Sequence, residues 1–184
     1  VSRSALREGL LYDMLRRAVH QDPRESSVTA LGQRYGVDVG QAARVEATAL
    51  DFFNQLAKPL VLDPELRATL AWAARIHELG LAISHHQHHI HGAYVIENTD
   101  LAGFSRQEQQ VLAALVRSQR RSVPGSVFGD LPQRLDRPAR ALAMILRLAV
   151  LLHRSRSQEA LPSPRLEARE RELFLHLPRR WLNA

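Results

Sequence analysis

The sequence predicts a mainly α-helical body with a small mixed α+β or β appendage at its C-terminal end. Three observations carry that prediction. Apolar residues make up 45% of the chain but aromatic ones only 5%, so the core is drawn from Leu, Ala, Val and Ile, a palette that suits packed helices better than a sheet. Apolar positions recur at helical spacing through most of the chain, and helix-start signals precede the apolar runs. Beyond Pro162 and Pro164 the pattern turns to partial alternation.

Residues 3–20 read as an amphipathic helix with Leu6, Leu10, Leu11, Met14 and Leu15 on one side, and Asp22-Pro23 reads as its end. A short helix is expected after Ser26, broken at Gly36. Asp38 is placed as an N-cap opening a long helix to about Ala57, with Val45, Ala49, Phe52, Phe53 and Leu56 as its core face. Asp63-Pro64 is a cap followed by proline, starting a helix that ends near Gly80. Residues 83–98 hold a histidine cluster and then a helix. Ser105 and Glu108 form a capping box for a helix through about Arg120. A Pro/Gly-rich loop spans residues 123–132, and Asp136 is read as capping an apolar helix that ends near Arg156. In the tail, Leu173, Leu175 and Leu177 fall on one side of one or two short strands. The expected division is a linking helix over 1–20, a helical domain over 21–157 and a small extension over 158–184.

Composition narrows the function classes. With no cysteine there is no disulfide framework and no thiolate metal site, which fits a reducing cytoplasm. The longest apolar stretch, Ala141 to Leu152, is interrupted by Arg147 and is too short for a bilayer span. No signal peptide is visible and Val1 is not a natural start residue, so a fragment of a longer chain is expected. The formal charge is +6, and Lys58 is the only lysine. Arginine's planar fork suits phosphate oxygens, although genomic base composition also favours arginine. The positive sign fits an acidic partner.

Three segments, in matching order, resemble a known family. Ser4-Ala-Leu-Arg-Glu-Gly-Leu-Leu-Tyr-Asp13 is similar to a signature of Ppx/GppA phosphatases that starts with glycine. Ala74-Arg-Ile-His-Glu-Leu-Gly80, with His85-His-Gln-His-His-Ile-His-Gly-Ala-Tyr-Val-Ile96, resembles the HD-like region of exopolyphosphatases; Gly92 stands where serine is usual. Leu115-Val-Arg-Ser-Gln-Arg-Arg121 resembles a Val-Arg-Tyr-His-Arg stretch, with Ser118 and Gln119 replacing Tyr-His. The resemblance implies an HD-like helical bundle. It implies a parent whose N-terminal actin-like domains use Mg²⁺ to release terminal phosphate from inorganic polyphosphate, or the 5′ phosphate of guanosine pentaphosphate. It places no catalytic residue and no cofactor in this chain. The implied partners are polyphosphate, the parent's own actin-like domains and a second copy in a homodimer, with no DNA and no membrane span.

The resemblance also puts the four HD metal positions at Gln41, His77, Glu78 and Val150. Glutamine is a poor ligand and valine none, so a degenerate metal site is expected. The residues expected to contact polyphosphate are Arg44, His77, His88, His91, Arg117, Arg120 and Arg121. Each has a plainer reading beside it. The histidine run also fits a solvated loop entering a helix, or a metal site without a His-Glu-x-x-His frame. Arg117, Arg120 and Arg121, at i, i+3 and i+4, share a face if the helix continues, and also fit an ordinary helix C-terminus. Arg44 and Arg147 lie on apolar helices and need an anionic partner, for which Glu78, Glu46 or a ligand phosphate qualify. Arg179, Arg180 and Trp181 form a second basic edge or a surface tail. Two rival functions follow: an active HD-type metal phosphohydrolase, and a purely structural dimerisation module.

Overall fold

The structure is a computed structural model that describes residues 22–159, 161–169 and 172–179. The helix expected over 3–20, the signature at 4–13, and Arg180 and Trp181 lie outside the described residues. Among the described residues, six helices precede a C-terminal two-stranded antiparallel hairpin. Among the described residues no helix is long and apolar enough to cross a membrane.

Helix α1 spans Pro23–Arg34. Asp22 caps it, accepting a hydrogen bond from the Arg24 amide at 3.0 Å, and Pro23 occupies the first helical position, where no amide hydrogen is missed. Asp-Pro therefore opens a helix here, and the start expected after Ser26 moves forward accordingly. Gly36, at φ 62°, ends α1 as expected. Helix α2, Val39–Leu56, opens on Asp38, whose side chain accepts from the Gln41 amide at 2.9 Å. Its five expected core residues are all buried.

Helix α3 spans only Leu66–Arg75. Asp63 forms a turn by accepting from the Glu65 amide at 3.0 Å, so the helix begins two residues after Pro64. It stops short of Gly80; the chain passes through His77 and Glu78 into a 3₁₀ turn at Leu79–Ala82. Helix α4, His88–Asn98, starts inside the histidine cluster. Helix α5, Arg106–Ser118, has the expected capping box, Ser105 and Glu108 each bonding the other's backbone. After a 3₁₀ turn at Gly125–Phe128, helix α6 runs Gln133–Leu152. Asp136 lies inside its first turns, bonded to Arg140 at 3.0 Å, rather than at the cap, and Pro138 is also carried inside the helix. The apolar face from Ala139 to Ala149 outweighs the one backbone bond a proline removes. Strands β1 (Arg165–Arg169) and β2 (Glu172–His176) pair antiparallel, with Leu166 opposite Leu175.

The core is packed from α2, α3, α5 and α6, with Phe52, Leu70, Ile76, Leu112, Leu115 and Leu146 fully buried. Each such side chain contributes about 2 kcal/mol. The ion pairs between helices contribute less, because they are part-exposed: Arg24 and Glu25 of α1 reach Glu108 and Arg75, and Arg75 also reaches Glu46 of α2. The hairpin is tied to α2 through Gln55, whose side chain donates to the Pro164 carbonyl at 3.2 Å and accepts from the Leu166 amide at 2.6 Å.

Candidate functional site

A cleft of about 430 Å³ opens where four chain segments converge. The segment after α3 supplies His77 and Glu78; α4 supplies its first residue, His88. The end of α5 supplies Gln119, Arg120 and Arg121, and the last turns of α6 supply Arg147, Val150 and, just beyond, Arg154. Gly80 makes the convergence possible. A Cβ there would lie 1.9 Å from the His88 carbonyl oxygen and 2.6 Å from the Gly92 amide nitrogen. No other residue lets the turn after α3 press against α4, and that contact sets His88 beside His77.

His77 is 1% exposed. Its Nδ1 lies 2.7 Å from the Ala74 carbonyl and donates to it, while the Gln119 amide donates to the backbone carbonyl of His77. Burial holds its pKa below the ordinary histidine range, against the opposing pulls of the Ala74 bond and the Glu78 charge. The neutral ring therefore carries its proton on Nδ1 and presents a bare lone pair on Nε2, which has no partner. Glu78 Oε1 sits 3.9 Å away and is taken by Arg156 at 2.7 Å. The Gln119 side-chain oxygen is likewise buried without a partner.

His88 is also held below the ordinary histidine range, chiefly by burial. Its Nδ1 lies 3.3 Å from the His85 carbonyl and 3.5 Å from Arg120 Nη1, serving the first as donor or the second as acceptor. His89, next to it, is pushed down to about 4 by burial and then by His88 and the nearby arginines. All three rings are neutral at pH 7.

The cations divide into two kinds. Arg156 is spent, clamped between Asp38 at 3.0 Å and Glu78 at 2.7 Å. Arg120, Arg121, Arg147 and Arg154 line the cleft, and none forms an ion pair among the described residues. Arg147 instead donates to the carbonyls of Ser118 and Arg121, capping the end of α5. It thereby holds Arg121 in a left-handed conformation, φ 60°, which a non-glycine residue adopts only when its surroundings impose it. Gln87 and Arg156 carry φ of 58° and 56° in the segments flanking the cleft.

Of the residues singled out from sequence, His77, Glu78, His88, Arg120, Arg121 and Val150 come together here. Arg117 does not. Helix α5 ends at Ser118, so the expected single face breaks, and Arg117 lines a separate groove with Asp130 and Glu97. His91 is half-buried on α4, outside the cleft lining. Arg44 has neither Glu46 nor Glu78 as a partner, since these serve Arg75 and Arg156; it bonds Gln41 at 2.8 Å, and its Nε is buried without a partner. Sequence reasoning missed Gln119, Arg154 and Arg156. For Gln119 a signal existed, because it replaces a histidine in the resembling motif. Arg154 reaches the cleft, and Arg156 reaches Glu78 at its lining, from beyond the end of α6 at Leu152, short of the end expected near Arg156.

The donor set does not fit a divalent metal. Gln41 donates to the His153 carbonyl at 2.8 Å and accepts from Arg44, leaving nothing to coordinate an ion. Val150 has no donor atom. Among the described residues no group of three or more His, Asp or Glu is placed to hold a metal. What the cleft can do is bind anions, at a mouth with four unpaired guanidinium groups and one carboxylate. A family model described as Ppx/GppA phosphatase, domain III, matches residues 24–184.

Proposed function

Because the chain belongs to the Ppx/GppA phosphatase family, matching its domain III, we propose that it holds inorganic polyphosphate and guides it without cutting it. The observation that supports this reading is the set of arginines Arg120, Arg121, Arg147 and Arg154 around one cleft, unpaired with carboxylates among the described residues. Three of them hang from chain ends where helices stop, so they can follow a flexible linear polyanion. Arg147 is fixed, and orients the loop that carries its neighbours. Each solvated guanidinium–phosphate contact is weak and screened by salt, but several along one polymer add as linked binding events. In this reading the phosphoanhydride is cleaved elsewhere in the parent, by the actin-like domains that the resemblance assigns to it with Mg²⁺.

Titration of the chain with polyphosphates of increasing length tests the proposal. Affinity should rise with length until the cleft is spanned, and fall steeply between 50 and 200 mM salt, by about tenfold for every two phosphate contacts made. Equal affinity for short and long polymers, or no binding at low salt, would remove the reading and leave a purely structural role.

A further inference from the structure

We propose that the cleft contains a subsite for a phosphoryl group that still carries a proton: free orthophosphate, or the end of a polyphosphate chain. This rests on the polyphosphate reading and deepens it. The cleft is not cationic throughout. Against its arginines it sets His77, Gln119 and Glu78, all lining the same space. The bare Nε2 of His77 accepts, because Nδ1 is committed to Ala74 at 2.7 Å. The Gln119 side-chain oxygen accepts, because its amide nitrogen is committed to the His77 backbone carbonyl. Glu78 is a carboxylate, which while ionised only accepts. His77 and Gln119 are 1% and 3% exposed, and their Nε2 and Oε1 atoms have no partner. Buried acceptors without partners are costly, and call for a donor.

A fully ionised anion cannot supply one. Its oxygens would meet two acceptors without partners and a carboxylate already bonded to Arg156 at 2.7 Å, and could give none of them a hydrogen. Internal phosphoryl groups of a polyphosphate chain are of this kind, each bearing a single oxygen too acidic to keep its proton near neutral pH. A phosphate that titrates with a second pKa of about 6 is different. Orthophosphate keeps at least one O–H throughout the neutral range and a chain end keeps one in part of the population, and that O–H can donate to Nε2 or to an acceptor beside it. Their remaining oxygens face Arg120, Arg121, Arg147 and Arg154. The site therefore reads protonation as well as charge. Along the same cleft, internal phosphoryl groups are held by arginine alone, while a terminal or free group is held by arginine and by the acceptors together.

Sulfate is the discriminating probe, since it matches phosphate in shape and carries no proton at neutral pH. Calorimetric titration of the chain at constant ionic strength should give orthophosphate about tenfold tighter binding than sulfate, the cost of leaving such acceptors unpaired. Glu78→Gln places a donor where an acceptor stood, on a part-exposed side chain whose replacement spares the core. It should bring sulfate and phosphate within about twofold of each other, with an unchanged far-ultraviolet circular dichroism spectrum. Linear tripolyphosphate against cyclic trimetaphosphate, which has no ends, separates the two sources. Preference for the linear form identifies the chain end; preference for orthophosphate without it identifies the free ion. Equal binding within both pairs overturns the subsite, as does a phosphate preference that Glu78→Gln leaves intact. Long polyphosphate titrated in parallel keeps the outcomes separate. If it still binds, only the subsite falls; if it does not, the polyphosphate reading falls with it.

Discussion

Arg117 and Arg120 are three residues apart, yet they serve different surfaces, because α5 stops between them at Ser118. Their common face existed only for a continuous helix, and nothing in the spacing of basic residues marks where backbone hydrogen bonding ends. The consequence is measurable. Replacing Arg120 and Arg121 together with alanine should weaken polyphosphate binding about tenfold and flatten its salt dependence by about two phosphate contacts. Arg117→Ala alone should change neither, as read by fluorescence anisotropy across a salt series. The histidines make a second residue-scale prediction. Burial holds His77, His88 and His89 below the ordinary imidazole value of about 6.5, His89 at about 4. As pH falls through 6.5 the unfolded chain takes up protons that the folded chain refuses. The stability these rings contribute is therefore present above about 6.5 and lost as pH falls toward 4. Urea midpoints should drop across that window, and bound polyphosphate should soften the drop by favouring charged imidazole.

Helices α2 and α5 were legible in the sequence because a side-chain cap and a helical apolar face agreed in each: Asp38 with Phe52 and Leu56, Ser105 with Leu112 and Leu115. Asp136 misled: read as a cap, it was absorbed into a helix, because the burial of Ala139, Leu142 and Ile145 extends α6 past any local cap. Capping still carries energy where it occurs, and Ser105→Ala should cost about 1 kcal/mol of unfolding free energy. Gly80 is the costlier position. Its pairing with α4 joins residues that no local pattern links, so only the resemblance drew attention to that stretch. Gly80→Ala must push the turn off the His88 carbonyl, and should cost about 1–3 kcal/mol in urea unfolding. It should also weaken polyphosphate binding even where the protein remains folded, by parting His77 from His88.

Over the whole molecule the arrangement is a helical body that closes its cleft with chain ends and borrows a hairpin to finish its surface. The tail's alternation was readable, and two strands formed where one or two were expected. Its attachment was not readable, because Gln55 and Leu166 meet across more than a hundred residues. Leu166 is 4% exposed, so Leu166→Ala should cost about 2–5 kcal/mol if hairpin and helices unfold as one cooperative unit. A split transition by circular dichroism and Trp72 fluorescence would show that they do not. Gln41 bears on how the fold could change. Its side chain now joins the start of α2 to the end of α6, through the His153 carbonyl, at a site 2% exposed. Gln41→His with Val150→Asp would place two metal-ligating residue types at these positions, yet it should yield a less stable protein without stoichiometric metal, because it breaks that tether before a coordination shell exists. Any route from this chain to a metal site would thus have to cross a fitness valley, and the Gln41 tether acts as a ratchet against it.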